Sequence, residues 1–221
     1  MQTTHVLVHG AWHGPWCWEA VTARLTDREV VSLQLPSVGD PATGLTEDAQ
    51  ALRDTVAALT GPVVVTAHSY GGVVATSALS GLANVAHVVY LCAFVLDAEE
   101  SLSTVTGGRA NWYDVRSDGL IDVINPAHVF YNDLTEAEAD AAIAHLRPQS
   151  AKSFSDKLTA AAWRTIPSTY VVATDDNAFP PRAQRQMSQR CGTRYELDAS
   201  HSPFLSNPDY VADLLRKVES A

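Results

Sequence analysis

The sequence predicts an α/β protein built on a doubly wound, mainly parallel sheet, and three observations carry that prediction. Short apolar runs such as VVVT at 63–66 and HVVYLCA at 87–93 read as strands buried on both faces. Helical patterns alternate with such runs at both ends of the chain, the signature of a parallel sheet covered by helices on each side. The 221 residues suffice for one domain of this kind with a sizeable core, and not for two comfortable ones.

Composition narrows the function classes. Hydrophobic residues make up 46% and charged residues 18%, as in a compact globular protein. A formal net charge of −10 and the absence of any basic run argue against nucleic-acid or anionic-membrane binding. Residues 1–5 show no basic segment followed by an apolar one, and the apolar runs are strand-length, so neither a secretory signal nor a membrane span is expected. Cys17, Cys92 and Cys191 are widely spaced and odd in number; reduced, buried thiols in a cytoplasmic protein are the expectation.

In chain order, residues 5–9 (HVLVH) are expected to form the first strand, with no room expected for a strand before it. His5, His9 and His13 have a spacing that would invite a metal on a helix, but Val6, Leu7 and Val8 favour strand, and Gly10, Gly14 and Pro15 forbid a helix through the set. His9-Gly10-Ala11 reads instead as a turn that exposes backbone N–H groups where an oxyanion could sit. Residues 16–25 predict a helix, 30–35 a strand, 36–44 a Gly- and Pro-rich loop, and 45–59 a second helix.

The chain then reaches PVVVTAHSYGGVV at 62–74, around which it is organised. A serine between a strand and a helix, with small residues two positions to either side, is the nucleophile-elbow arrangement; Ala67 and Gly71 supply the small residues around Ser69. A helix is expected over 73–82 and a strand over 87–93. From 94 to about 165 the alternation breaks into a turn-rich passage containing a helix over 135–146 that opens Thr-x-x-Glu, and a small helical lid over the strand ends is the expectation. Alternation resumes with strands at 168–174 and 193–197 and helices at 180–191 and 207–218. Asp176 and His201 each lie just past a strand end, and with Ser69 they give the order Ser, Asp, His of a hydrolase triad.

These motifs together resemble the α/β-hydrolase superfamily, in the branch of plant methylesterases, hydroxynitrile lyases and bacterial pyrethroid-hydrolase-type esterases. The resemblance covers nearly the whole chain, through His9 to Gly14 with Trp16-Cys17-Trp18, Ala67 to Gly72, Thr174 to Phe179 and Ser200 to Pro203. It implies Ser69 as nucleophile, His201 as base, Asp176 as its orienting acid, and the N–H groups of Ala11 and Tyr70 as an oxyanion hole. Spacing alone barely separates Asp176 from Asp175; the family pattern, counted back from Phe179, selects Asp176. The lyases of this branch carry threonine and lysine where this chain has Gly10 and Ser202, which weakens the lyase expectation.

The expectation is therefore a single α/β-hydrolase domain over 1–221, lacking the usual first strands, with a lid insertion at about 94–165. Its function would be hydrolysis of a small carboxylic ester, with no metal or organic cofactor called for, no nucleic-acid or membrane partner, and a homodimer left open. A cofactor-free lyase or cyclase, or a non-catalytic small-molecule binder on the same fold, are the alternatives. Trp12, Trp112, Tyr113, Phe130, Tyr131 and Phe179 are the aromatic candidates for an apolar pocket.

Overall fold

The computed structural model describes residues 2–108 and 110–219. In chain order the strands are β1 (Thr4–Val8), β2 (Glu29–Leu33), β3 (Val63–His68), β4 (Val85–Leu91), β5 (Tyr113–Val115), β6 (Leu120–Val123), β7 (Gln149–Ser150), β8 (Ser168–Ala173) and β9 (Thr193–Leu197). Six of them form one sheet in the order β2-β1-β3-β4-β8-β9, with every neighbouring pair parallel. The order reverses direction between β1 and β3, and at such a switch point the loops leaving two neighbouring strands part to opposite faces and open a crevice.

The strand sequences follow from that position. Successive side chains alternate between faces, so Val6 and Val8 pack into one core while Leu7 packs into the other. Val63, Val65 and Ala67 likewise share the first core, and Val64 the second. With both faces dry there is no polar phase to the pattern, and the strands read as continuous apolar runs.

The helices are α1 (Glu19–Thr22), α2 (Leu45–Ala57), α3 (Gly71–Ala78), α4 (Leu102–Thr106), α5 (Pro126–Phe130), α6 (Glu136–Ile143), α7 (Ala151–Ser155), α8 (Pro181–Met187), α9 (Pro203–Ser206) and α10 (Pro208–Val218). Helices α2 and α3 cover one face, burying Leu45, Leu52, Val56, Val73 and Val74. On the other face α10 presents Val211, Leu214, Leu215 and Val218, an i, i+3, i+4, i+7 stripe, to Trp18, Val21 and Leu25. None of these helices is long and apolar enough to cross a membrane.

Three differences from the sequence expectations have physical causes. The helix expected over 16–25 is a 3-10 turn, Pro15–Trp18, followed by the single turn α1. Helix α3 starts at Gly71 rather than 73, although glycine is a poor helix former. Packing decides there: a Cβ on Gly71 would lie 2.7 Å from the His9 carbonyl oxygen, and one on Gly72 would lie 2.5 Å from that of Phe94. The third difference lies between β4 and β8, where α4 to α7 are joined by the antiparallel sheet β5-β6-β7. Within that segment Thr135 caps α6 as its sequence indicates, its N–H donating to Glu138 Oε2 at 3.0 Å.

Candidate active site

Ser69 sits on the turn from β3 into α3 with φ of 51°, a left-handed conformation that costs a non-glycine residue about 1 kcal/mol or more. The tightness shows in what surrounds Gly71. Its nearest neighbours are the Val8 and His9 carbonyls at the end of β1, so residue 71 must be small because of the adjoining strand rather than because of Ala67.

The loops after β8 and β9 bring two further side chains to the same strand ends. His201 Nε2 lies 2.9 Å from Ser69 Oγ, and His201 Nδ1 lies 2.6 Å from Asp176 Oδ2. Asp176 is buried and saturated: its Oδ1 accepts the Ala178 and Phe179 N–H groups at 2.8 Å each, and its Oδ2 also accepts Gln184 Nε2 at 2.8 Å. A carboxylate holding that many donors is fixed in orientation. Asp175 faces outward instead, taking Asn132 Nδ2 on its own Oδ2 at 2.9 Å.

Two clamps hold the His201 loop. His68 Nε2–H donates to the His201 carbonyl at 2.7 Å, and burial pushes the His68 ring well below its ordinary pKa, so it is neutral. From the segment between β4 and β8, Asp133 accepts the Ser200 N–H at 2.8 Å and the Phe130 carbonyl accepts Ser200 Oγ at 3.1 Å. The same segment holds the Asp176 loop, with Asn177 Nδ2 donating to the His128 carbonyl at 2.9 Å.

On the opposite side of Ser69 runs the loop after β1. Neither the Ala11 nor the Tyr70 N–H finds an acceptor among the described residues, and both residues line the cavity with Ser69. A buried polar chain ties their surroundings together. Trp12 N–H donates to Gln149 Oε1 at 3.3 Å, Gln149 Nε2 donates to Ser37 Oγ at 2.7 Å, and Ser37 Oγ donates to Asp48 Oδ2 at 2.5 Å. Tyr70 OH donates to that same Asp48 oxygen at 2.6 Å. Burial raises the pKa of Asp48 and lifts that of the Tyr70 phenol well above its usual value.

The cavity over Ser69 has a volume of about 500 Å³. Trp12, Trp112, Tyr113, Phe130 and Phe179 line it, as does His201, and no charged side chain among the described residues does. Tyr131 is the exception among the aromatic candidates. It lies buried outside the cavity with its hydroxyl 2.9 Å from His13 Nε2, because a phenol taken out of water goes where its O–H has a partner. Phe94 and Phe154 line the cavity as well and were not singled out by sequence. Gln184, Gln149 and Asp48 carry no catalytic motif in the sequence.

Metal chemistry finds poor support in the donors present. His5, His9 and His13 have separate partners: Glu219 for the first, Gly10 and Leu35 backbone for the second, Ala11 and Tyr131 for the third. The donor atoms of His68, Cys92 and His201 do lie within 4.8 Å of one another. Both His201 nitrogens are already engaged, however, and burial raises the Cys92 thiol well above its usual pKa, against the thiolate a metal would need. Of the three cysteines only Cys191 is partly exposed.

Position 10 has a steric reason to be glycine. A Cβ there would fall 2.7 Å from His68 Nδ1 and 2.9 Å from Ser69 Cβ, leaving no space for the threonine of the lyases without moving the serine.

A parallel doubly wound sheet with a hydrogen-bonded Ser–His–Asp array at its carboxyl edge defines a class of proteins. Comparison agrees: the chain belongs to the alpha/beta hydrolase family, whose profile matches residues 6–214. It is 30% identical to the alpha/beta hydrolase nvfD of Aspergillus novofumigatus over 96% of this chain and 95% of that protein. Methylesterase 1 of Arabidopsis thaliana is 24% identical over 96% of this chain and 94% of its own. Among solved structures, a pyrethroid hydrolase from Sphingobium faniae JZ-2 superposes with a TM-score of 0.82 at 22% identity, over 100% of this chain and 98% of that one. Relatives of this family and esterase type support hydrolase activity in this chain.

Proposed function

We propose that the protein hydrolyses small, neutral carboxylic esters through an acyl-enzyme on Ser69. The observation that carries this reading is the unbroken hydrogen-bonded line from Asp176 through His201 to Ser69, which meets an apolar cavity beside two N–H groups without an acceptor among the described residues. In the first step Ser69 Oγ bonds to the ester carbonyl carbon while His201 Nε2 takes its proton. The carbonyl oxygen gains negative charge and receives the Ala11 and Tyr70 N–H groups. Collapse breaks the bond to the alcohol, which leaves with the proton from His201. Water then repeats the sequence, releasing the acid and restoring Ser69.

The lining supports the substrate class. No charged side chain lies among the described lining residues, so they offer an ester bearing a free carboxylate or ammonium no partner for the hydration it would lose. The test is a stopped-flow burst of p-nitrophenol from p-nitrophenyl acetate, with Ser69→Ala as the control. The expected result is a burst stoichiometric with enzyme, abolished in the variant together with at least about three powers of ten of turnover. A Ser69→Ala protein that kept a tenth of the activity would overturn the assignment.

A further inference from the structure

His9 and His13 remain without a role in the steps above, and they meet the two peptides on either side of the Ala11 Cα, His9 the one that would carry the Ala11 N–H and His13 the next. His9 Nε2 accepts the Leu35 N–H at 3.1 Å, so the proton of the neutral ring is on Nδ1, which donates to the Gly10 carbonyl at 2.8 Å. His13 repeats the pattern one peptide on. Its Nδ1 lies 2.9 Å from the Ala11 carbonyl, an acceptor only, so Nδ1 carries the proton and Nε2 accepts the Tyr131 hydroxyl. Burial depresses both rings, His9 to about 4 and His13 to about 3, so neither is charged near neutral pH.

We infer that His9 and His13 are positioning residues for the oxyanion hole, each locked as the Nδ1–H tautomer and together fixing both carbonyls of the Gly10-Ala11-Trp12 turn. The inference rests on the serine-hydrolase reading. Its geometric content is simple. The Gly10–Ala11 peptide is trans, so the Ala11 N–H points away from the Gly10 carbonyl that His9 holds. Turning that carbonyl off His9 would turn the N–H off the cavity. The Ala11 carbonyl, held by His13, and the Trp12 N–H, held by Gln149, fix the next peptide in the same way.

His9→Asn and His9→Gln separate positioning from mere structure. An asparagine amide nitrogen occupies nearly the place of Nδ1 and can still donate to Gly10. A glutamine amide reaches the place of Nε2 and can accept from Leu35, but leaves the Gly10 carbonyl without its ring donor. On p-nitrophenyl acetate, His9→Gln is expected to lower kcat about 10- to 100-fold with KM changed less than about threefold, because a displaced oxyanion donor acts on the transition state alone. The same variant should bind phenylethyl boronic acid, whose tetrahedral adduct places an oxygen in the hole, more weakly by a similar factor. His9→Asn should restore both to within about fivefold of wild type.

Equal losses in the two variants, or a His9→Gln protein with unchanged kcat, would overturn the inference. Should His9→Gln fail to fold, 15N spectra of the wild-type histidines decide: Nδ1 protonated and Nε2 bare from pH 6 to 8 in both rings is expected, and the opposite tautomer in His9 would overturn it. A wild-type protein without any ester turnover would sink the hydrolase reading instead, while the tautomer measurement would still judge the clamp.

Discussion

Each nitrogen of the His201 ring has one partner, and the partner on Nδ1 distinguishes two neighbouring carboxylates. Asp176 holds that nitrogen from within the core, whereas Asp175 stands outside with Asn132. Asp176→Asn is therefore expected to lower turnover by about two to four powers of ten, since the amide favours the wrong tautomer and cannot stabilise the imidazolium. Asp175→Asn should cost less than about tenfold, and assaying both variants on one aryl ester checks the pair. A larger loss at 175 would contradict the arrangement. Ser69 is legible because it follows the apolar run of β3, and His201 because it lies just past a strand end in the chain order Ser, Asp, His. It could not show Gln184, which fixes Asp176 from one turn into α8, because a glutamine in a helix looks the same whether it meets water or a carboxylate. Tyr131 failed as a pocket residue for a related reason: an aromatic side chain seeks burial, and nothing local says whether against a ligand or the protein.

Helix α3 is the element on which the catalytic array leans, and its first turn is clamped between strands on either side. Gly71 meets the end of β1, and Gly72 meets the chain leaving β4. Gly72→Ala is expected to destabilise the protein by about 1–3 kcal/mol, since a Cβ 2.5 Å from a carbonyl oxygen forces backbone to move. Urea titration measures this, and a variant as stable as wild type would show that the contact relaxes without cost. The parallel sheet, though not its strand order, could be anticipated from alternation, because strands wet on neither face leave a strong apolar signal. Strands β5, β6 and β7 span three, four and two residues, too few for a periodicity, and β7 pairs with a strand distant in sequence, β6.

Across the whole molecule, burial keeps a set of histidines neutral. His9 and His13 titrate at about 4 and about 3, and His68 well below its usual value, whereas in the unfolded chain each would titrate near 6.5. The unfolded state thus binds more protons in that window, and stability must fall as pH drops from about 6.5 toward 4, by at most about 1.4 kcal/mol per pH unit for each ring. Urea midpoints at pH 7, 6 and 5 should decline in that order; equal midpoints would show that these rings accept protons in the folded state. The segment between β4 and β8 contributes to the same assembly unevenly. Its Phe130 to Asp133 stretch is bonded to the loops of His201 and Asp176, while Leu102, Val105, Trp112 and Tyr113 line the cavity with no hydrogen bond to those loops among the described residues. The cavity therefore has one wall hydrogen-bonded to the catalytic loops and one that meets them through ring packing alone, Trp112 on Phe130. Lineages of this protein, or a designer, can exchange the second wall to change what is admitted, while drift in the first would alter the reaction itself.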